Sequence, residues 1–463
     1  MIQTITSALG EPIFHLTAGD ASYVISIFHG FPLHLYAGPA ISDDDVDYLL
    51  VRVGHDSVVP RPAHTPEGWF SCDIAPFEYP AYGSGDFRPS AVMAKAKTTD
   101  QTNPTGGAPT TAVMYESHEI LAGKPVLDPC PAVHASDDEC DTLILHCTDP
   151  ATALKYDLYY TVLRDCPALC RRTVIKNTSD TKPATLLRAY SASLDFTTID
   201  PQAELVHLWG TWGRERHMER TPLLHGSMSV NSRRGASGHY HNPFAALVTS
   251  ETTEEYGMAI GMSLIYSGNF DITADVDAFG LTRFMAGISP DGFEWHLAPG
   301  AQFVTPEAVI VISGEGLGKM SRVYHKLYRR NLCRGEWADK ERPILVNNWE
   351  ATYFNFDDEK LVAIAEDAAK CGIEMLVMDD GWFGDRNSDR SGLGDWQVNE
   401  EKLGGTLANL IERINALGLK FGIWYEPEMI SRDSNLYRAH PEWCLHVPNR
   451  EKSIGRFQYV LDY

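Results

Sequence analysis

The segment LVMDDGWFG, residues 376–384, decides the fold of the C-terminal part of the chain. An apolar run leads directly into two adjacent carboxylates, Asp379 and Asp380, and then into a glycine and two aromatic residues. A short apolar run of this kind is typical of a buried strand. Because neighbouring residues of a regular strand point to opposite sides, both carboxylates face one ligand only if the strand breaks there. Gly381 is placed to permit that break.

Two further apolar runs in this part of the chain also end in polar and aromatic residues. PILVNNW ends in Asn347, Asn348 and Trp349, and LKFGIWYEPEM contains Trp424, Glu426 and Glu428. The segments EKLVAIAEDAAKCG and LANLIERINALG lie between the runs, and each has an apolar helical face and a final glycine. Strands that alternate with helices predict parallel βαβ units. The carboxyl ends of such strands form the active-site face of a parallel barrel.

The chain before residue 319 has a different pattern, in which apolar and polar residues alternate. DTLILHC from residue 141, LKYDLYYTVL from 154 and TLLRAYSASLDF from 185 are typical of strands, and little helical pattern separates them. This predicts a large antiparallel β-supersandwich over residues 1–318. We assign residues 319–341 to a linker helix, and 342–463 to the first strands, about three, of an incomplete (β/α)8 barrel.

Composition and charge restrict the partners of the chain. The formal net charge is -23, which repels phosphate backbones and anionic membrane surfaces. We find neither a secretory signal nor an apolar run long enough to span a membrane. The nine cysteines are sparse and odd in number, so we interpret them as reduced thiols in a cytoplasmic protein. Cys166 and Cys170 have the spacing of metal ligands but lack a second pair, so we predict no metal site.

The residue types at the strand ends suit a sugar. Ionised aspartate accepts hydrogen bonds from two hydroxyl groups at once, and tryptophan offers a flat apolar wall together with an N–H donor. Capping is the structural alternative, in which Asp379 or Asp380 only satisfies backbone N–H groups of the turn. Capping does not account for the neighbouring tryptophans.

Longer motifs carry a resemblance to a known family. VNNWEATYFNF, MDDGWFG, LGDWQVN, FGIWYEPEMIS and GRFQYVLD resemble the α-galactosidases, or melibiases, of glycoside hydrolase family 36. DIAPFEYPAYGSGDFR at 73–88 and HLWGTWGRERH at 207–217 are similar to motifs of the sandwich domain that precedes the barrel in that family. The resemblance spans the whole chain. It implies a retaining glycosidase without a cofactor, acting on α-galactosides of melibiose or raffinose type.

The resemblance also implies roles for particular residues. Asp379 and Asp380 match the pair that binds the outer hydroxyls of galactose, Trp349 matches an aromatic wall, and Arg456 matches an arginine near the sugar. Trp212 matches a tryptophan supplied by the sandwich domain. A further match, Asp73, lies on a loop that reaches a neighbouring subunit's pocket in tetrameric members, so a homotetramer is implied for a full-length protein.

Each of these assignments has a structural alternative. In this alternative, Trp212 and Trp349 are aromatic residues of the core. Arg456 belongs to a structural ion pair, and Asp73 is a turn residue. A small departure occurs in FSCDIAPFEYP, where Ala75 and Phe77 differ from many members of the family. This departure bears on subsites beyond the first sugar.

The two catalytic aspartates of the family have no match in this sequence. The nucleophile of the family lies in a KWDMN-like segment after the fourth barrel strand, and the sequence ends at Tyr463 without a KWD motif. We therefore expect a truncated enzyme that is inactive by itself, with its nucleophile and acid/base beyond Tyr463. Glu426 and Glu428 follow the third strand, and we interpret them as binding or scaffold residues.

Two other functions stay open at this point. The chain is alternatively a non-catalytic galactose-binding or assembly fragment, or part of a transglycosidase that makes raffinose-type sugars. A nicotinamide-dependent glycosidase is disfavoured because no strand leads into a G-x-G-x-x-G motif. The expected partner in the leading interpretation is an α-galactoside oligosaccharide.

Overall fold

The structure is a computed structural model that describes residues 1–42, 46–50, 61–62, 65–83, 85–96, 108–197 and 199–462. Its contacts divide the chain into two compact units, Met1–Ala338 and Asp339–Tyr463. Within the described ranges, no helix is both long and apolar enough to cross a membrane.

The first unit is built almost entirely from strands, as the alternating pattern predicts. Three strand pairs near its N-terminus and many later pairs are antiparallel. A 3₁₀ turn covers Asp47–Leu49. The described strands of this unit are β1 (Ile2–Thr6), β2 (Pro12–Ala18), β3 (Ala21–Phe28), β4 (Phe31–Pro39), β5 (Val92–Ala96), β6 (Met114–Ala122), β7 (Cys140–Thr148), β8 (Leu154–Leu163), β9 (Ala168–Asn177), β10 (Ala184–Phe196), β11 (Glu204–Thr211), β12 (Arg214–Pro222), β13 (Gly226–Asn231), β14 (His241–Val248), β15 (Ala259–Ile265), β16 (Phe270–Val276), β17 (Thr282–Ile288), β18 (Trp295–Leu297), β19 (Gln302–Val304) and β20 (Glu307–Ser313).

These strands form three sheets. A 4-stranded sheet has the order β1-β2-β3-β4, and a 6-stranded sheet has the order β13-β16-β17-β10-β18 with β5 also paired to β10. A 10-stranded sheet has the order β12-β11-β14-β15-β20-β9-β8-β7-β6, with β19 beside β9. All three sheets contribute to one buried apolar cluster. The predicted antiparallel supersandwich is confirmed.

The inward faces of the strands follow the two-residue period of the sequence. In β8, Leu154, Tyr156, Leu158 and Tyr160 are all fully buried and alternate with residues on the other face. Leu143 of β7 lies opposite Tyr160 in the register. The alternation read from the sequence therefore places whole side-chain rows in the core.

A helix, α1 (Gly316–Leu327), covers the outer face of the 10-stranded sheet, where Met320 and Tyr324 join an apolar cluster with Val309. The Tyr324 hydroxyl donates to the carbonyl of Val309 at 3.0 Å. Gly261 makes this approach possible, because a Cβ there would lie 2.8 Å from the Met320 sulfur. The helix is thus packed onto the sandwich.

The helical region is shorter than the sequence interpretation of 319–341. A π-helical segment, Tyr328–Leu332, continues α1, and Cys333 is already extended with ψ of 135°. Gly335 has a φ of +80°, which the right-handed helix does not accept. The helical region ends at Leu332, one residue after its last buried residue, Asn331.

The second unit has a parallel sheet with the order β21-β22-β23. Residues Asn347, Val377 and Gly422 lie side by side in the register, so the three strands end at the same edge. The strands are β21 (Leu345–Asn347), β22 (Met375–Met378) and β23 (Lys420–Ile423), followed by the antiparallel pair β24 (Met429–Ser431) and β25 (Gln458–Val460). The helices are α2 (Trp349–Thr352), α3 (Asp358–Lys370), α4 (Glu400–Leu403), α5 (Leu407–Ala416) and α6 (Asn435–Ala439), with a 3₁₀ turn at Pro441–Trp443.

The two longer helices of this unit have the ends that the sequence predicts. The side chains of Asp357 and Thr406 accept from the N–H groups of the third residue after each, which caps α3 and α5. Gly372 and Gly418 follow the helices with φ of +78° and +84°. One apolar cluster of the unit includes residues of both helices and of β22, so the sheet and its helices form a βαβαβ arrangement.

Candidate functional site

The carboxyl ends of β21, β22 and β23 bring the candidate residues of the second unit to one edge. Asn347 is the last residue of β21, Asp379 follows β22 directly, and Trp424 follows β23 directly. The backbone N–H of Trp424 donates to the carbonyl of Met378 at 2.9 Å, which ties these two strand ends together. The sequence interpretation of three polar strand ends meeting at one edge is therefore observed.

Asp379 is held by amide groups. The Asn347 Nδ2 donates to Oδ2 of Asp379 at 2.6 Å, and the backbone N–H of Asp380 donates to its Oδ1 at 2.7 Å. The buried Asn348 accepts from the N–H of Asp379 at 2.7 Å through its Oδ1. Asn347 Oδ1 also accepts from the N–H of Trp349 at 2.7 Å. Asn347 thereby orients the carboxylate of Asp379, and Asn348 holds the backbone of the same residue.

Asp380 is held by a cation. The Nε of Arg386 donates to Oδ1 of Asp380 at 2.9 Å, and its second terminal nitrogen donates to Oδ2 at 2.8 Å. The side chain of Asp380 is 7% exposed and that of Arg386 is 1% exposed. The two neighbouring carboxylates therefore have different supports, one neutral and one charged.

Gly381 ends the strand in the way that the sequence predicts. Its φ is +106°, a conformation that residues with a Cβ avoid. A Cβ at this position would lie 3.0 Å from the Phe354 ring and 3.2 Å from Nζ of Lys402. The glycine is therefore required both by the backbone turn and by the crowded surroundings.

The aromatic residues near the strand ends divide into two groups. The Trp349 ring is partly exposed and meets the rings of Tyr353 and Phe354 edge to face, at 5.2 and 5.0 Å between centroids. Trp424 is also partly exposed. Trp382, in contrast, is 1% exposed, and its indole N–H donates to the carbonyl of Trp424 at 3.0 Å. Trp382 therefore belongs to the apolar core of the second unit. This corrects the sequence argument, which took the tryptophan beside the carboxylates as an indication of a ligand site.

The charges of Asp380 and Arg386 both affect the pKa of Glu426. Burial raises the pKa of Glu426 above its ordinary value, and the charges of Glu428 and Asp380 act in the same direction. The charges of Arg386 and Arg456 oppose the rise.

Arg456 occupies an exposed turn before β25. Its φ is +52° and that of the next residue, Phe457, is +71°. The guanidinium of Arg390 lies over the Phe457 ring at 4.4 Å from its centroid. Among the described residues, Arg456 has no carboxylate within ion-pair distance, so its structural alternative as a member of an ion pair has no support from the contacts.

Asp73 and Trp212 belong to the first unit. Asp73 Oδ1 accepts from the N–H of Phe87 at 3.1 Å, and the N–H of Asp73 donates to the Ser71 hydroxyl at 3.2 Å. Trp212 lies between β11 and β12 and is 87% exposed, which excludes a core position. The structure thus groups Asp379, Asp380, Trp349 and Arg456 in the second unit and places the other two candidates in the first.

Arg386 is the main residue that sequence reasoning missed. It shares the segment GDRNSDRSG with Arg390, and nothing in the local pattern distinguishes the two. The structure buries Arg386 and leaves Arg390 exposed. A charged residue a few positions after a strand-end carboxylate is only a weak indication of a buried ion pair, because most charged residues are solvated.

The described residues contain no group of three or more His, Cys, Asp or Glu side chains arranged to hold a metal ion. Cys166 and Cys170 are both free and buried. Burial raises the pKa of the Cys166 thiol to about 11, so it stays protonated at neutral pH.

Comparison with known families and proteins places the chain in a class. The family model described as Glycosyl hydrolase family 36 N-terminal domain matches residues 30–298, and the model described as Melibiase matches residues 302–463. Both family models describe glycoside hydrolases. The chain belongs to glycoside hydrolase family 36.

Several relatives are similar over nearly the whole chain. The α-galactosidase AgaA of Geobacillus stearothermophilus is 46% identical over 452 residues, which is 97% of this chain and 60% of the relative. The bifunctional α-galactosidase/sucrose kinase AgaSK of Mediterraneibacter gnavus is 40% identical over 98% of this chain and 47% of the relative. This chain therefore spans about 60% or less of the length of these two relatives.

Solved structures agree with the fold. A variant of AgaA in complex with raffinose has a TM-score of 0.91 at 45% identity, covering 97% of this chain and 61% of that chain. The galactosidase domain of AgaSK has a TM-score of 0.92 at 39% identity, covering 99% of this chain and 62% of that chain. Another AgaA variant was solved in complex with stachyose, with a TM-score of 0.91.

Proposed function

We propose that this chain carries the galactose-binding part of a retaining α-galactosidase that acts on terminal α-galactosides of melibiose or raffinose type. The observation that carries the proposal is the edge where Asp379 and Asp380, each rigidly held, follow one parallel strand beside Trp349. The relatives are named as α-galactosidases, and variants of one of them were solved with raffinose and stachyose.

The chemistry of the strand ends fits a galactosyl group. The carboxylates of Asp379 and Asp380 accept from sugar hydroxyls through lone pairs that their protein partners leave unused. Trp349 provides an apolar wall for the C–H face of the pyranose ring. In this proposal Arg456 lies near the same sugar, and the three parallel strands are the first units of a (β/α)8 barrel within residues 342–463.

We also propose substrate-related roles for two residues of the sandwich. Trp212 is exposed enough to contact a ligand, and Asp73 lies on a loop tied to Phe87. We assign Trp212 a role in binding the substrate, and Asp73 a role at a neighbouring subunit in a homotetramer of a full-length protein. Sedimentation velocity of a full-length protein tests the tetramer, because a monomer at micromolar concentration contradicts the assignment of Asp73.

We also propose that the protein works in the cytoplasm. Each of its nine cysteines is a free thiol, and reduced thiols are typical of that compartment. A mass-spectrometric count of alkylated thiols in protein taken directly from its source cells checks this assignment. A disulfide found there contradicts it.

Galactose binding by the 463-residue chain tests the main proposal. We expect calorimetric titration with galactose to give a measurable affinity, and Asp380→Asn to weaken it by about tenfold to a hundredfold, because a charged acceptor is lost. Asp367→Asn is the matched control, since Asp367 lies on the exposed face of α3 with its side chain 81% exposed. If Asp380→Asn does not fold, Asp379→Asn is the second variant. Absence of binding by the unmodified chain contradicts the proposal.

Hydrolysis is a separate question from binding. We expect these 463 residues by themselves to release no product from a chromogenic α-galactoside, because neither catalytic aspartate of the family has a match in them. Burial raises the pKa of Glu426, which is the direction expected of a general acid. Product formation that disappears in Glu426→Gln would transfer the catalytic role to this residue and contradict our expectation.

A further inference from the structure

The ion pair between Asp380 and Arg386 is bidentate. The guanidinium donates in parallel to both carboxylate oxygens, at 2.9 and 2.8 Å. Bidentate pairs of this kind fix the plane of the carboxylate as well as its position. They occupy two of the roughly four lone-pair positions of a carboxylate and leave the others available.

Arg386 is itself held from several directions. Its remaining terminal nitrogen donates to the carbonyl of Ser391 at 3.0 Å, and its backbone N–H donates to the carbonyl of Phe383 at 3.1 Å. Gly392 passes so close that a Cβ there would lie 2.8 Å from the backbone nitrogen of Arg386. The backbone of residues 383–392 is therefore packed closely around Arg386.

A second cation, Lys402, contacts the backbone of Arg386. Nζ of Lys402 donates to the backbone carbonyl of Arg386 at 3.2 Å. Burial lowers the pKa of Lys402, while the charge of Asp380 acts to raise it, so Lys402 and Asp380 influence each other. Lys402 lies in α4, whose N-cap Asn399 accepts from the Lys402 backbone N–H at 2.9 Å. The cation is thus anchored to a helix outside the loop.

Removing these groups from water is unfavourable unless they are paired with good geometry. A buried pair that served only to hold the loop could be replaced by apolar side chains at little loss of stability. This pair instead ends in the carboxylate that directly follows Asp379, the carboxylate held by Asn347. The arrangement fits a need for one oriented, charged hydrogen-bond acceptor at the carboxyl end of β22.

We propose that Arg386 is a positioning residue that locks the Asp380 carboxylate in the orientation in which it accepts from a sugar hydroxyl, with Lys402 holding Arg386 in place. The inference rests on the proposed function, in which Asp380 binds galactose. Arg386 itself is too buried to contact the sugar. Its effect on the ligand passes through Asp380.

Substitution of Arg386 tests the inference through galactose affinity. We expect Arg386→Gln to weaken galactose binding by about tenfold or more, because Asp380 loses its bidentate partner. We expect Arg386→Lys to recover only part of that loss, since an ammonium group cannot reproduce the planar fork. Arg413→Gln is the matched control, because Arg413 also pairs with a carboxylate, Asp358 at 2.9 Å, but does so through α5. We expect this control to bind galactose as the unmodified chain does.

Chemical rescue separates positioning from folding. In Arg386→Ala, added guanidinium chloride at a low, non-denaturing concentration should restore part of the galactose affinity, and sodium chloride at the same ionic strength should not. Near-ultraviolet circular dichroism checks that each variant keeps its tertiary packing. Loss of structure alone does not produce a recovery specific to guanidinium.

The possible outcomes are distinct. If the unmodified chain does not bind galactose, the proposed function and this inference both fail. If it binds, and folded Arg386→Gln or Arg386→Lys binds with unchanged affinity, only the positioning role of Arg386 is overturned. If Arg386→Gln does not fold, Arg386→Lys and the rescue of Arg386→Ala decide, and either unchanged affinity of Arg386→Lys or absence of rescue overturns the inference.

Discussion

Two buried arginine–aspartate pairs, one in each unit, have nearly the same local geometry and different surroundings. In the sandwich, Arg283 donates to both oxygens of Asp195, at 2.7 and 2.6 Å. At the strand ends of the second unit, Arg386 donates to both oxygens of Asp380, at 2.9 and 2.8 Å. Both arginines are almost completely buried.

The pair in the sandwich is closed on all sides by protein. Arg283 also donates to Asp86 at 2.6 Å and to the carbonyl of Pro89 at 2.7 Å, while Asp195 accepts from the N–H of Phe77 at 3.1 Å. These contacts fasten Phe77, Asp86 and Pro89 to the sheet. The ion pair in the sandwich therefore serves the stability of the fold, whereas the pair of Asp380 and Arg386 lies where a parallel strand ends.

Breaking the closed network should produce the largest effect on stability. We expect Arg283→Met to lower the free energy of unfolding of residues 1–338 by about 3–5 kcal/mol, because Asp195 stays buried without its bidentate partner, while Asp86 keeps its pair with Arg88. Urea unfolding followed by circular dichroism measures it. Arg233→Met is the control, since Arg233 pairs with Asp291 at the surface and should change the value by less than about 1 kcal/mol.

The comparison also makes a prediction for Arg283→Met in the binding assay. If Arg283 stabilises only the sandwich, the folded variant binds galactose as the unmodified chain does, whereas Arg386→Gln does not. Equal losses of galactose affinity in both variants would show that the two pairs do not have the separate roles proposed here.

A second closed network predicts how stability depends on pH. Glu78 is fully buried and contacts Arg171, His34 and Tyr160 at 2.8–2.9 Å. Burial disfavours the charged form of Glu78, but the hydrogen bond from His34 and the charge of Arg171 outweigh it and hold the pKa below its ordinary value. Its ionisation therefore contributes stability that is complete above the unfolded-state pKa of about 4.3 and is lost as the pH falls through the lower folded-state pKa.

Glu78→Gln should remove this contribution. Below about pH 4.3 the unmodified chain should lose stability faster than the variant, with a difference in slope that approaches about 1.4 kcal/mol per pH unit. Urea titrations at several acidic pH values measure the slopes. Glu255→Gln, at an exposed position, should keep the original slope. An unchanged slope in Glu78→Gln would contradict the role of the buried network.

The helices of the second unit should respond to the loss of a cap by a smaller amount. The carboxylate of Asp357 accepts from the N–H of Lys360 at 2.9 Å at the start of α3. We expect Asp357→Ala to destabilise residues 339–463 by about 1 kcal/mol, because a helix N–H loses its partner. Thermal unfolding measures it, and Asp357→Asn should retain most of the stability as an alternative cap. A loss in Asp357→Asn as large as in Asp357→Ala would show that the cap is not responsible.

The smallest effect should come from the neutral support of Asp379. Asn347→Ala removes the amide that donates to Asp379 at 2.6 Å. We expect a decrease in galactose affinity of about fivefold, since a typical net hydrogen bond contributes about 1 kcal/mol. Calorimetric titration measures it beside Arg386→Gln. A larger loss in Asn347→Ala than in Arg386→Gln would reverse the order of importance proposed for the two carboxylates.

Local patterns predicted much of the fold. Alternation in LKYDLYYTVL predicted a strand, and the structure has β8 at Leu154–Leu163 with its apolar row in the core. The helical spacing and final glycine of EKLVAIAEDAAKCG predicted α3, and the polar strand ends predicted where Asp379 and Asp380 meet Asn347. These features depend on neighbours within a few residues, so the sequence contains them directly.

Other features depend on contacts between distant residues and have no local signal. The placement of β20 between β15 and β9, the packing of α1 against Gly261, and the core position of Trp382 are of this kind. The same holds for the difference between buried Arg386 and exposed Arg390. Each is decided by which surfaces approach one another after the strands have paired.

The amino-acid sequence by itself determined the two types of architecture, the order of their strands and helices along the chain, and the carboxylate pair at a strand end. Periods of two and 3.6 residues and the backbone freedom of glycine are local properties, and they survive in any folded context. Only the tertiary structure decided that an arginine six residues after Asp380 turns back to hold it. That contact exists because burial of both charges is favourable only when they meet, and the meeting is a property of the packed unit.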